Sequence, residues 1–376
     1  MTRRPLNEAE KRDTLRLART ENVGPITFRQ LLRRFGSARA ALEALPLMAR
    51  RGGKKDFKLP SKNLIEDEIA NIEKNGAALI AWCEPDYPES LAAIEDAPPL
   101  ITVRGNVDLM HKRCIGIVGA RNASLNGRKM AESLAQGLGQ NDIVVVSGMA
   151  RGIDAAAHRA SLATGTVAVL AGGVDVVYPK ENQDLYDTLV ERGCILSDMP
   201  WGLEPFSKLF PRRNRLISGL SLGVIVVEAA LQSGSLITAK MALDQGREVF
   251  AVPGSPLDPR ATGTNDLIRQ GAILVERAGD VLSHIHTPPR LLSEPPANDF
   301  CASSCPIDEA AVSQARSKIL ENLSPSPVSV DELARQCHLS PSVVLTVLLD
   351  LELAGLVERQ VGNKVVLIGS SCLINS

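Results

Sequence analysis

The spacing of apolar positions changes three times along the chain. Between about residues 8 and 80, Leu15, Leu17, Ile26, Leu31, Leu32, Phe35, Ala41, Leu42 and Leu45 recur at roughly helical intervals, which predicts a set of small helices. From 82 to 285 short apolar runs alternate with helical patterns. The runs are Ile115–Val118, Ile143–Val146, Thr166–Leu170, Cys194–Leu196, Val224–Val227, Val249–Val252 and Ala272–Val275. Several are apolar and β-branched throughout, as expected of strands buried on both faces of a parallel sheet. Alternation with helices implies βαβ crossovers and a Rossmann-like layered core.

Residues 286–306 are Pro-rich and lack periodicity, so an extended, mobile linker is expected. Residues 307–370 read as three helices and a hairpin. Ile307–Leu323 forms the first, Ser329 caps the second, and Ser340-Pro341 opens a third that runs to Leu353. Gly355 stops it, and Gly362-Asn363 is a hairpin turn between two short strands. That order predicts a winged helix. Its third helix carries no Lys or Arg from Pro341 to Asp350, so a protein-contact role is favoured over base reading, which needs donors.

Punctuation sharpens the picture. Val23-Gly24-Pro25 falls between two helical stretches, in the manner of a helix-hairpin-helix turn. In the core, strands end in Gly- or Ser-rich loops that open helices: Gly119 to Ser124, Ser147-Gly148 to Gly152, and Ser233-Gly234-Ser235. A helix start offers backbone N–H groups and a positive dipole end, and so attracts phosphate. Cations accompany these loops: Arg121 and Arg151 within them, Lys180 after Tyr178-Pro179, and the cluster Lys208, Arg212, Arg213 and Arg215 around Phe210 and Asn214. A row of such sites suggests a polynucleotide backbone. Phe210 is a candidate platform for an unpaired base, with core burial the alternative. For Arg215 the alternative is an ion pair with Glu228 or Asp198.

Composition narrows the classes. The net charge of −1 hides an asymmetry: residues 1–60 hold 15 Lys/Arg against 6 Asp/Glu. A basic N-terminal module could touch nucleic acid, and a solvated helical surface accounts for it equally well. No apolar run approaches the ~20 residues that span a bilayer, and no secretory signal is evident, so a cytoplasmic location without membrane contact is expected. Seven dispersed cysteines argue against a disulfide framework. A zinc site from Cys301, Cys305, Cys337 and His338 is disfavoured by its spacing.

Catalytic signatures are weak. Gly116-x-x-Gly119 is an incomplete dinucleotide fingerprint, and no phosphate-binding Walker motif occurs. Asp154 and His158, four residues apart, could hold a metal or act as acid and base; a capping Asp154 above a packed His158 is preferred, because no second histidine is near. No metal, cofactor or catalytic residue is expected.

Four motifs in order carry a resemblance. They are Ile117–Ser124, Ser147–His158, Phe210–Ile217 and Glu228–Ala239. Together they resemble the DNA-processing protein A family (DprA, also called Smf) over about 190 residues of the core. The resemblance implies a homodimer that binds and protects single-stranded DNA during natural transformation, loads RecA onto it, and catalyses nothing. It places the family's DNA-contacting arginine on Arg121, its lysine on Lys180 and its basic motif on Phe210 to Arg215. It also implies a sterile-alpha-motif-like or helix-hairpin-helix N-terminal domain. Two other classes compete. Nucleotide phosphoribohydrolases share the Gly-rich strand ends, yet here Thr238-Ala239 stands where their glutamate is needed. A winged-helix regulator is disfavoured by the uncharged third helix.

Overall fold

The computed structural model describes residues 3–54, 56–285 and 309–368. The expected linker 286–306, with Cys301 and Cys305, lies outside them.

The N-terminal helices start and stop where local chemistry dictates. Helix α1 (Glu8–Ala18) begins on a capping box in which Asn7 Oδ1 accepts from the Glu10 amide at 2.9 Å and the Asn7 amide donates to Glu10 Oε2 at 3.0 Å. Helix α2 (Pro25–Phe35) has Pro25 at its first position, where no N–H is needed, and ends on Gly36 at φ 76°. Ser37 then caps α3 (Ala38–Arg51), and α4 (Lys62–Lys74) follows. Leu17, Phe28, Leu31, Leu42, Leu45 and Met48 meet in their core.

The central sheet is built from β1 (Ala77–Ala81), α5 (Glu89–Ala92), β2 (Leu100–Gly105), β3 (Cys114–Val118), α6 (Leu125–Gly139), β4 (Val144–Ser147), α7 (Ile153–Ser161) and β5 (Thr166–Val169). It continues through α8 (Gln183–Arg192), β6 (Cys194–Ser197), α9 (Leu209–Leu220), β7 (Gly223–Val226), α10 (Gly234–Asp244), β8 (Glu248–Ala251), α11 (Thr262–Arg269), β9 (Ile273–Leu274) and α12 (Ala278–Leu282). The strand order is β1-β2-β6-β5-β4-β3-β7-β8-β9. Strands β6 to β9 in that order pair in parallel, and β1 and β2 add an antiparallel edge.

All seven strands read from the sequence are present, displaced by a residue or two. The edge strands β1 and β2 were not read, since Ala77–Ala81 continues a helical-looking pattern. Both sheet faces are covered. Ile115, Ile117, Val145 and Ile225 pack with Leu134 of α6 and Ile153 of α7; Val118, Val144, Val146 and Val224 pack with Leu216 and Leu220 of α9. This explains the unbroken apolar runs. From β3 the chain winds one way to β6, then returns to place β7 on the other side of β3. The carboxyl ends of β3 and β7 therefore flank a topological switch point, the usual ligand crevice of such sheets.

The last elements are α13 (Glu309–Glu321), β10 (Val328–Ser329), α14 (Val330–Cys337), α15 (Pro341–Leu353), β11 (Val357–Gln360) and β12 (Lys364–Leu367). Gly362 and Asn363 both have positive φ, 82° and 53°, as a tight hairpin turn requires. This is a winged helix with a third short strand, in the order β10-β12-β11. Helix α15 serves two cores. Val344, Val347, Leu348 and Leu351 pack within the winged helix, while Leu349 and Leu353 complete the core of α1–α3.

Polar groups line the second contact. Asp350 Oδ2 lies 3.3 Å from Arg51 Nε, Asn22 Nδ2 donates to the Leu353 carbonyl at 3.2 Å, and Arg316 Nη2 donates to the Gly52 carbonyl at 3.0 Å. The uncharged helix thus has a packing partner within the chain. Two compact units result: the sheet core with the first residues of the chain, and α1–α3 joined to the C-terminal elements.

Candidate nucleic-acid interface

The three loops at the carboxyl edge are tied down by side chains. After β3, Ser124 caps α6 by accepting from the Gly127 amide at 2.8 Å. The Glu228 carboxylate, just past β7, accepts from the Ser124 amide at 2.9 Å and from Ser124 Oγ at 2.5 Å. After β4, Asp154 Oδ2 accepts from the amides of Gly148 at 3.1 Å and Ala150 at 3.3 Å. Before α10, Ser233 Oγ accepts from the Ser235 amide at 3.3 Å, and Asn214 Nδ2 donates to the Gly234 carbonyl at 3.4 Å.

Protein carboxylates thus take amides at two helix starts that the sequence offered to phosphate. Ser147 and Ser235 are buried as well, Ser147 donating to the Ile117 carbonyl at 2.6 Å. Attraction for an anion must come mainly from side chains.

Those side chains divide by exposure. Arg121, Arg151, Lys180, Lys208 and Arg212 are exposed. Arg151 lies 3.7 Å from Glu181, both largely in solvent, a contact worth little. Arg213 and Arg215 are each 5 % exposed, which departs from their place in the expected cation cluster. Arg215 Nη2 pairs with Asp198 at 2.7 Å, and its Nη1 donates to the Asp96 carbonyl. The expected alternative partner was Asp198 or Glu228; it is Asp198, and Glu228 caps the first loop instead.

Arg213 Nη1 donates to the Val169 carbonyl at 2.6 Å. Burial pulls its pKa down to about 10, with Asp154 acting against the fall and Arg121 adding to it. Asp154 is raised by burial despite the opposing Arg213 charge. His158 bonds Thr166 Oγ1 through Nδ1 at 2.7 Å, and burial with nearby Arg213 and Arg159 lowers its pKa to about 3. It is therefore neutral and packed, and Asp154 serves its loop. No group of three or more His, Cys, Asp or Glu fit to hold a metal occurs among the described residues.

One exposed cation, Arg121, meets a pair of aromatic rings. The Arg121 guanidinium sits over the Phe210 ring, 4.9 Å from its centroid, and the Tyr178 ring lies 5.5 Å from Phe210 at 52°. Phe210 is half-buried, so the burial alternative describes only part of it. Tyr178, read only as part of the segment before Lys180, is 45 % exposed and belongs to this cluster. Its aromatic type beside Pro179 was the available signal. Gly148, Gly172, Tyr178, Phe210 and Arg213 line a shallow pocket beneath. Two glycines are dictated by space: a Cβ at Gly148 would land on the Arg213 guanidinium, and Gly152, at φ 77°, would press one onto the Ala120 carbonyl.

The fold and this crevice define a class: a Rossmann-like core with a cationic, aromatic carboxyl edge, accompanied by a helix-hairpin-helix module and a winged helix. Residues 78–286 match the family model for DNA recombination-mediator protein A, residues 8–71 that for a DprA-like N-terminal helix-hairpin-helix domain, and residues 306–363 that for a DprA winged helix domain. The chain belongs to the DNA recombination-mediator protein A family. Among its relatives, protein Smf of Escherichia coli is 37 % identical over 294 residues, covering 77 % of this chain and 78 % of Smf. DNA processing protein DprA of Streptococcus pneumoniae is 47 % identical over 199 residues, covering 52 % of this chain and 70 % of that protein.

The Streptococcus pneumoniae DprA crystal structure superposes with a TM-score of 0.63 at 35 % identity, over 76 % of this chain and all of that one. A structure of DNA processing protein A from Helicobacter pylori, described for its single-stranded DNA binding mode, gives a TM-score of 0.51 at 26 % identity, over 56 % of this chain and 97 % of that one. No described helix is long and apolar enough to cross a membrane.

Proposed function

We propose that this protein binds single-stranded DNA across the carboxyl edge of its sheet, protects it and passes it to RecA, acting as a homodimer without a catalytic step. The observation that carries the binding role is Arg121 stacked on Phe210 at 4.9 Å, beside the switch point of the sheet. A guanidinium on a half-buried phenyl ring, beside the exposed Tyr178 ring, offers charge to phosphate and a π-surface to an unpaired base. Arg121, Arg151, Lys180, Lys208 and Arg212 supply the electrostatic track. Gly119, Ser124, Gly152, Asn214, Ser233 and Gly234 shape the loops beside it, and Ser147, Gly148 and Ser235 support them from below. The Helicobacter pylori relative, described for binding single-stranded DNA, supports the choice of ligand. RecA transfer and dimerisation rest on family resemblance.

Replacing Arg121 with Glu removes the central cation and puts an anion before a helix start. Affinity for oligo-dT should fall strongly while the fold, followed by circular dichroism, stays intact. Unchanged affinity in the folded variant would remove Arg121 from the site.

A further inference from the structure

Arg213 belongs by sequence to the basic segment around Phe210, yet it lies inside the molecule. On α9 it falls four residues after Leu209 and four before Ile217, in the buried stripe. Its guanidinium joins three pieces of the crevice from below. It donates to the Val169 carbonyl at the end of β5, it fills the space a Gly148 side chain would need, and its charge acts on Asp154. Asp154 holds the amides of Gly148 and Ala150, and Asn182 Nδ2 donates to the Met149 carbonyl at 2.9 Å. Met149 is at φ 56°, a conformation a non-glycine residue keeps only when its surroundings impose it. Phe210 stands one helical turn before Arg213, and both line the same shallow pocket with Gly148 and Tyr178.

We infer that Arg213 is a positioning residue of the strand-binding surface: with Asp154 it fixes the Ser147–Gly152 loop and the start of α9, so that Phe210 remains stacked under Arg121, and it does not itself meet phosphate. This rests on the single-strand reading above and deepens it.

Position and contact differ in their salt signature. A residue that neutralises a phosphate contributes about 0.7 to the slope of log affinity against log salt on single strands. A residue that holds a stacking platform contributes nothing to that slope. The experiment titrates oligo-dT into full-length wild type, Arg213→Lys, the charge-removing Arg213→Gln, Asp154→Asn and Arg212→Ala at four salt concentrations. Arg213→Lys and Phe210→Leu are also combined.

Arg213→Lys and Asp154→Asn should each lower affinity roughly tenfold, about the worth of one stacked base, at an unchanged slope. The exposed Arg212→Ala should lower the slope. In the Phe210→Leu background the cost of Arg213→Lys should largely disappear, since both changes remove the same platform. A slope reduced by about 0.7 in Arg213→Gln, which removes the charge that Arg213→Lys keeps, would make it a phosphate contact and overturn the inference. Unchanged affinity with a lowered melting temperature would make it a stabiliser only, and overturn it equally. If Arg213→Lys does not fold, Asp154→Asn decides by the same two readouts. Failure of wild type to bind oligo-dT would instead overturn the single-strand reading itself.

Discussion

Arg212, Arg213 and Arg215 lie within four positions, and only Arg212 is exposed. Helical geometry separates Arg212, which is turned outward, from Arg213, which shares a buried side of α9 with Leu209, Leu216, Ile217 and Leu220; Arg215 is buried because α9 is covered all round from Arg215 to Leu220. The charge cluster was legible in the sequence. Its direction was not, because a run of arginines masks the apolar period that would have shown which of them turn inward. The Glu228 carboxylate is similarly hidden: it closes the Ser124 loop from 104 residues away, and a distant cap leaves no local pattern, whereas Asp154 takes amides four and six residues before it and is legible as a cap in the sequence. Arg215→Met tests the structural role. Taking the guanidinium from the buried Asp198 should cost about 3–5 kcal/mol in denaturant unfolding of the core. Affinity for oligo-dT in the folded protein should be unchanged. A lost affinity at unchanged stability would return Arg215 to the binding surface.

Elements were the most legible level. The inner parallel strands β3–β7 announce themselves because both faces are buried; β2, buried from Leu100 to Val103, lacks that signal in its flanks, and β1 continues a helical-looking pattern. Helix α15 shows what periodicity leaves out. Its near-continuous apolar sequence marks it as buried all round. It cannot name the second surface, which comes from residues some three hundred positions earlier.

That second contact carries a titratable group. Burial raises Asp350 to about 6, against the opposing charges of Arg51 on α3 and Arg34 on α2. An acid whose folded pKa lies above its unfolded value binds more protons when folded, so it adds stability at low pH and loses it as pH rises through about 6. Unfolding of the unit formed by α1–α3 and the winged helix should therefore become easier between pH 5 and pH 7. Asp350→Asn should flatten that part of the profile. Hydrogen exchange of α15 amides, corrected for intrinsic rates, measures it; a wild-type slope in Asp350→Asn would assign the dependence to other groups.

For the whole molecule, the two compact units separate the tasks. The crevice at the switch point is built wholly from core elements, so removing residues 307–376 should leave single-strand affinity largely intact. The same deletion strips Leu349 and Leu353 from the core of α1–α3. Those helices should then lose protection from exchange while β3–β7 keep theirs. A large loss of single-strand affinity would make the winged helix a nucleic-acid module after all.

The most direct test of the central claim is a salt titration of full-length protein with labelled oligo-dT, using a duplex of equal length as competitor. Tight binding is predicted, with a slope that grows by about 0.7 for each phosphate neutralised and poor competition by the duplex. Equal competition by the duplex, or binding indifferent to salt, would contradict it.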